Sequence, residues 1–576
     1  MSLSMDLGFD LKGFLEGPVI IDFNDEECRR IDQAVEEKED EGDGTFGGTS
    51  QESDGLLSQR VGNKNGSRDE EDMISSKSFQ ERKKHYNELR EKYTDPWRPE
   101  TFGIFMSYLT VGISMYFVYA SSLIYVVDTL NAGAVMTTVF TSIYTLPWSF
   151  KVCWGILMDT IPLFGYHRLT YMWLGWSIHV LANLVLGFLG TPTLTQVISM
   201  GFLMTSAMIC ADVAHDTLNV ERSRLEDLKQ RGYLQSRAYM LRGIGAVIGA
   251  SIGAFAYGDS TTLSMGLSIS GVYFVNALIP VLLVFPFLPW LVEFNAGEKT
   301  IGLWERLVAV KQTLDLRAVW EPMAFIYIFN VMMLSNPAWY NFEIKGLGFN
   351  SLDLGIINIG VAVSTFLGYL IYSFFLFNSS WRTVYVISIC AGVIFSFGEV
   401  ILEAKWYQDW GIPPLLLAFG DTAFVQMSVA LQLIPAAVMY VSLCPPGAEG
   451  TVYALLTTVA NLGGACATVL SEFLVGIWDV DNDTLAAGEW NGVLYLTILT
   501  KSLHFLPLLL IYNLPSSKED QQKLKEAGEK SERNGTIFVC VLLASVLFVV
   551  GTTIYEIVGD TSDDDAGDPT IEEETR

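Results

Sequence analysis

Along the chain, apolar runs of about 20 residues alternate with short polar stretches from residue 101 to residue 558. About 20 apolar residues is the helix length that crosses a bilayer core. The pattern predicts spans at 101–127, 134–157, 171–189, 195–214, 238–257 and 267–292. A polar stretch follows, carrying Lys299, Glu305, Arg306, Lys311, Asp315 and Arg317. Six more spans are expected at 322–340, 355–377, 383–402, 415–443, 452–478 and 493–514, and a further apolar run at 537–558 follows a charged segment. The chain thus reads as an all-α integral membrane protein. Its expected parts are an acidic tail (1–100), a six-helix half (101–292), a linker (293–318), a second six-helix half (319–514), a charged segment (515–535), an extra transmembrane helix (536–558) and a second acidic tail (559–576).

Basic residues set the expected orientation, because Lys and Arg accumulate in cytosolic loops. Arg82, Lys83, Lys84, Arg90, Lys92 and Arg98 precede the first span. The turns 127–133 and 258–262 carry almost none, whereas the alternate loops hold His167 and Arg168, then Arg222, Arg224, Lys229, Arg231 and Arg237, then the linker. Arg382 and the segment 518–533 continue the series. The amino terminus, the linker and the 515–535 segment are therefore expected in the cytosol. Asn482-Asp483-Thr484 is a glycosylation sequon in a loop expected on the far side.

Composition changes little in this picture. The 576 residues are 50% hydrophobic and 17% charged. The net charge of −28 argues against a nucleic-acid partner, and most of it lies in the two tails, whose composition suits disorder. No secretory signal is legible: Lys12, Gly13, Glu16 and Pro18 interrupt the first apolar stretch. The run Glu52-Ser53-Asp54-Gly55-Leu56-Leu57 has the form of an acidic dileucine sorting signal. Seven cysteines, mostly inside spans, read as small buried hydrophobes, and their spacing suits neither zinc nor a disulfide framework. No cofactor or metal is expected. No span carries a nucleophile–base pair, and no soluble stretch is long enough for an active site, so an enzyme is not expected.

An ionisable side chain inside a span is costly and marks a substrate or ion path. Lys151 lies deep in the second span, Asp212 in the fourth, Arg242 early in the fifth and Asp421 in the tenth. The competing readings are an ion pair of Asp212 with Lys151 and a snorkelling Arg242. His215 and Asp216 fall at the membrane edge, where solvated caps are expected. Gln426 and Gln432, six residues apart on the Asp421 span, point to different faces, so at most one faces a cavity. Trp148, Trp173, Trp176 and Trp339 sit near span ends and read as interfacial anchors. The glycine run from Gly243 to Gly253 predicts close helix packing.

After Lys151 the chain continues Gly155-Ile156-Leu157-Met158-Asp159, then Pro162, Gly165-Tyr166 and His167-Arg168. This hairpin resembles the loop between the second and third helices of major facilitator transporters, in the variant of the folate–biopterin transporter family, with His167 where that pattern has arginine. The resemblance extends over about residues 102–514. It includes Ala211-Asp212-Val213 with Asp216, Val220-Glu221 with Arg224, Gly232 to Ser236 leading to Arg242-Gly243, Gly346 to Phe349, Gly420-Asp421, Pro435, and the block from Leu443 to Leu456 with Asn461. It implies the major facilitator fold of two six-helix halves, and proton-coupled secondary transport of folates or pterins between them.

A folate has a flat pterin edged with donors and acceptors and a tail with two carboxylates. Its site should offer carboxylates or amides, aromatics and one or two cations. Lys151, Asp212, Arg242, Asp421 and Gln426 are the expected substrate contacts, and Asp212 and Asp421 the proton-coupling groups. Gly155, Asp159, Gly165, Arg168, Glu221, Arg224 and Glu449 lie at loop-facing helix ends and are expected to gate. The expected partners are therefore a small-molecule substrate, protons and the lipid bilayer. Two other readings stand beside this one: a carrier of another organic anion or metabolite, and a non-transporting membrane receptor or scaffold. The in-span charges favour transport, because a scaffold has no use for them.

Overall fold

The structure is a computed structural model and describes residues 84 and 87–564, apart from 131–139, 141–142, 145, 228–229, 258–265, 295–301, 350, 445–448, 479 and 481. The dileucine pattern, most of both acidic tails, the turns at 131–133 and 258–262, much of the first part of the second span, and residues 445–448 lie outside the described residues, as does the side chain of Asn482.

Among the described residues the chain is helical and contains no β-sheet. Eleven helices are long and apolar enough to cross a bilayer. In the first half these belong to α1 (Pro99–Ile124), α3 (Leu169–Leu189), α4 (Leu194–Ser223), α5 (Tyr233–Ala256) and α6 (Ile269–Leu283). Between α1 and α3 lies α2 (Lys151–Thr160), the described end of the second span. An amphipathic linker helix, α7 (Leu303–Leu314), leads to α8 (Arg317–Val331). The second half continues with α9 (Ser351–Ile371), α10 (Trp381–Phe395), α11 (Phe397–Glu403), α12 (Pro414–Leu443), α13 (Glu449–Val475) and α14 (Asn491–Leu503). Helix α15 (Lys518–Ala527) precedes α16 (Glu532–Asp564), whose stretch Glu532–Thr552 is the eleventh apolar helix. Large apolar side chains such as Phe188, Phe375, Leu509 and Leu547 point outward, as lipid-facing positions require.

Two boundaries differ from the sequence pattern for identifiable reasons. Helix α4 runs nine residues past the expected end at 214, to Ser223. The pattern stopped where charges begin, but these charges are satisfied by protein: Arg222, fully buried, donates to the carbonyls of Leu218, Glu100 and Val292 at 2.8–3.1 Å. The seventh span, expected to be continuous over 322–340, is broken. Helix α8 ends at Val331, and helix resumes only at Trp339. Pro337 has no N–H to continue the ladder, and Asn336 Oδ1 accepts the Ala338 N–H at 3.0 Å in its place.

Small residues let backbones touch. A Cβ at Gly112 would lie 2.2 Å from Arg242 O on α5, and one at Gly245 would lie 2.2 Å from Leu109 O on α1, so the expected small-residue packing is present. At the end of the bundle carrying α7, the segment after α14 folds back onto the linker. Arg317 N–H donates to Glu529 O, and Ser531 N–H to Asp315 O, both at 2.8 Å. This end is called the linker end below.

Candidate functional site

Helices α2, α4 and α5 place four charges and a histidine together in the first half. Lys151 Nζ pairs with Asp212 and lies 3.1 Å from Asp216 Oδ2. Arg242 Nη2 meets Asp212 Oδ1 at 2.6 Å. His215 Nε2 is 3.3 Å from Asp212 Oδ1, and its Nδ1 is 2.9 Å from Ser107 Oγ, which also accepts the Trp176 indole N–H at 3.0 Å. The Tyr108 hydroxyl donates to Asp216. Trp148 lies under both cations, at 4.9 Å from Lys151 and 5.0 Å from Arg242, with Tyr108 and Tyr239 each 5.9 Å from Arg242. Two cations face two carboxylates, so the cluster is balanced inside the membrane. Asp212, His215 and Asp216 bring ligand atoms within 4.8 Å of one another. Lys151 and Arg242 already neutralise those carboxylates, a setting unsuited to a metal.

Several expectations change here. His215 and Asp216 are buried beside Asp212, not solvated caps, because α4 carries them inward. Arg242 does not snorkel; its guanidinium turns to Asp212. Trp148 and Trp176 are cluster residues rather than interfacial anchors, since each indole meets a polar or cationic group of the site. Cys153 and Cys540, expected to be buried, are exposed.

A second network ties the halves together at the linker end. Arg168 reaches Asp159 (2.8 Å), Glu221 (3.4 Å) and Glu449 (3.7 Å), and Arg224 meets Glu449 at 2.5 Å. Asp159 Oδ2 accepts the Thr451 N–H at 2.7 Å and its hydroxyl at 2.6 Å. The five charged residues expected in the gate therefore converge, and Glu449 with Thr451 comes from the opposite half. Glu221 lies on the last turn of α4 and not in a loop. A Cβ at Gly155 would lie 2.5 Å from Gly450 O, so glycine is what lets α2 and α13 meet. Gly165 has φ +85° in the hairpin, where a Cβ would meet nothing within 4 Å; it turns the chain. Glu293 caps α3 by accepting the backbone N–H of His167, Arg168 and Leu169 at 2.6–2.9 Å.

Asp421 is not part of the Lys151 cluster. It faces Glu399, Lys501 and Glu403, in a separate buried group of the second half, with Lys501 Nζ 2.9 Å from Glu399 Oε1. Gln426 is half-buried and has no hydrogen-bond partner among the described residues. Gln432 is the buried one and donates to Ser388 Oγ at 2.5 Å.

The residues that sequence reasoning missed fall in two groups. Glu399, Glu403 and Lys501 sit in apolar spans, and the rule that singled out Lys151 applies equally to them. Tyr108, Tyr239, Glu293, Arg306 and Thr451 have no such signal; their roles come from helices that meet only in the fold. Arg306 on α7 is one example, 3.7 Å from Asp159.

The arrangement combines buried charges between helices with a charge network that joins the halves at the linker end. Solved structures share the fold. The chain is similar to a proton:xylose symporter of the major facilitator superfamily, with TM-score 0.52 at 14% identity, over 75% of this chain and 98% of that one. It is also similar to a bacterial homologue of the iron transporter ferroportin in an outward-facing state, with TM-score 0.50 at 11% identity, over 72% and 98%. The fold is the major facilitator fold, as expected.

Its family follows from sequence. The BT1 family profile matches residues 111–535, and the chain belongs to that family. It is 28% identical over 391 residues to the folate-biopterin transporter of Synechocystis sp., covering 67% of this chain and 75% of that protein. It is 25% identical over 410 residues to the probable folate-biopterin transporter 2 of Arabidopsis thaliana, covering 69% and 80%. The resemblance read from the hairpin and the later blocks is borne out.

Proposed function

We propose that this chain is a secondary active transporter of folates or pterins, working by alternating access and coupled to protons. The observation that carries the reading is the Arg242–Asp212–Lys151 constellation lined by Trp148, Tyr108 and Tyr239. It offers cations for a glutamate tail, carboxylates for a pterin edge and aromatic faces for a flat ring. The names of the relatives, a folate-biopterin transporter and folate transporter 1 of Plasmodium falciparum, point to the same substrate class.

Arg242 has the most open side chain of the four charges, 15% exposed against 4% or less for the others. It is the cation a substrate carboxylate meets first. While Asp212, the first proton candidate, is ionised it holds Arg242, and a substrate carboxylate competes with it for the guanidinium. Asp421 is the second proton candidate. Asp159, Arg168, Glu221, Arg224 and Glu449, with Gly155 and Gly165, form the gate that closes the linker end and parts when it opens. In this reading the amino terminus and linker face the cytosol, and the membrane is the plasma membrane or a vacuolar or lysosomal one. A carrier of another organic anion is the second reading, since Arg242 and Lys151 suit any carboxylate.

The test is uptake of radiolabelled folic acid and 5-formyltetrahydrofolate by folate-transport-deficient cells at pH 5.5 and 7.5, beside Arg242→Gln and Lys151→Ala. Uptake that is stronger at the acidic pH and lost in both variants is expected. Normal surface expression without folate or pterin uptake would sink the substrate assignment and move the search to other organic anions.

A further inference from the structure

The second half holds a buried charge cluster that contrasts with the first. Glu399 and Glu403 come from α11, Asp421 from α12 and Lys501 from α14, all within apolar helices long enough to cross a bilayer, with Glu403 at the end of its own. At about 1.5 Å per residue, Glu399, Asp421 and Lys501 lie about 6, 10 and 15 Å from the helix ends opposite the linker end. The three acids are all less than 7% exposed. Lys501 is tied to Glu399 Oε1. Glu403 Oε1 accepts from Thr497 Oγ1 at 2.7 Å, and Thr497 in turn accepts from Asn336 Nδ2, in the break of the seventh span, at 2.8 Å.

Three carboxyl oxygens are left over. Asp421 Oδ1, Glu399 Oε2 and Glu403 Oε2 are buried and receive no hydrogen bond from the described residues. Yet the Asp421 and Glu399 carboxyl groups lie within hydrogen-bonding reach of each other. The other ionisable groups that face the cluster do not neutralise it: Glu343 faces Glu399 and adds another acid, and His504 faces Lys501 and Glu399 with its Nε2 2.8 Å from Leu334 O. Three carboxylates against one ammonium leave two uncompensated negative charges inside a span, which is costly. The Lys151 cluster has no such excess.

We propose that Glu399, Asp421 and Glu403, around Lys501, form the proton-binding site of this transporter, with the proton held between Asp421 and Glu399. A proton taken from water forms a new O–H on one of these carboxyls, and that O–H donates to the other. The bond supplies the donor that both oxygens lack and removes one of the two excess charges. Release reverses the step and returns the proton to water. The inference rests on the proton-coupled reading above and deepens it. Of the two proton candidates, Asp421 carries the proton, while Asp212 stays in its balanced ion pairs.

The test needs no substrate. Infrared spectra of the purified full-length protein are recorded at pH 7 in choline chloride, and the C=O stretch of protonated carboxyl groups is compared among wild type, Asp421→Asn, Glu399→Gln, Glu403→Gln and Asp212→Asn, each checked for monodispersity. The expected result is a protonated-carboxyl band that loses at least about half its intensity in Asp421→Asn and in Glu399→Gln, and persists in Asp212→Asn. A wild-type spectrum without the band would overturn the proposal. So would a band whose intensity is unchanged in all three second-half substitutions, or one abolished when sodium replaces choline at constant pH, which would assign the site to a metal cation. If Asp421→Asn does not fold, the Glu399→Gln spectrum and the wild-type cation exchange still decide. Failure of folate uptake leaves this result standing, and an absent band leaves folate uptake standing, so the two readings fail separately.

Discussion

Replacing Gly155 by alanine should bias the transporter away from the conformation in which the linker end is closed. The added Cβ would lie 2.5 Å from Gly450 O and 2.9 Å from Ala454 Cβ. Ordinary contact begins at 3.4 Å, so α2 and α13 must separate by roughly 0.9 Å, and the obstacle at Gly450 is backbone that cannot rotate away. Overpacking of this kind costs about 1–3 kcal/mol. The cost falls only on the state in which the helices touch, so the ratio of linker-open to linker-closed molecules should rise roughly 5- to 150-fold. Spin labels at Phe164 in the hairpin and Glu526 on α15, in a background without native cysteines, report the opening as a distance distribution. Gly420→Ala is the control, because a Cβ there meets nothing within 4 Å. A Gly155→Ala distribution that superposes on those of wild type and the control would refute the argument.

Two further outcomes follow from the same structure. Lys151→Met removes the lysine that pairs with Asp216 at 3.1 Å and should destabilise the protein by about 3–5 kcal/mol; adding Asp216→Asn should recover part of the lost melting temperature, because Arg242 still balances Asp212, and strictly additive melting temperatures would show that the pair is not coupled. Glu226, in the loop after α4, accepts the backbone N–H groups of Gly232 and Leu234 at 2.7 Å each, and burial pushes its carboxyl up to about 7. A folded pKa above the ordinary value means that its contribution to stability is full below about 4.5 and is lost as pH rises through about 7. Wild type should therefore lose melting temperature relative to Glu226→Gln across that interval, and a difference that is flat with pH would contradict the assignment.

Much of this protein is legible without coordinates, for a physical reason. In lipid every backbone N–H and C=O must be satisfied within its own helix, so the length and apolarity of each run nearly determine where the helices are. The same cost of burial makes each in-span charge conspicuous, and Lys151, Asp212 and Arg242, picked out on that ground, do meet. The charge network at the linker end was partly legible too, because Asp159 and Glu449 are acids that topology alone does not require at helix ends. The pattern failed where tertiary partners replace water. It ended α4 at residue 214, although Arg222 is bonded to carbonyls from two other segments, and it ran straight through residues 332–338, where Asn336 takes over a backbone bond.

Which charge pairs with which was decided only by the tertiary structure. Hydropathy has no memory of which helices are neighbours, so Asp212 and Asp421 looked like equivalent carboxylates in equivalent spans. Packing gives one of them two cations and sets the other among two further acids and a single lysine. That difference in charge balance is a property of helix adjacency: in a medium that screens so little, the electrostatic character of a carboxyl group is set by the side chains a few ångströms away.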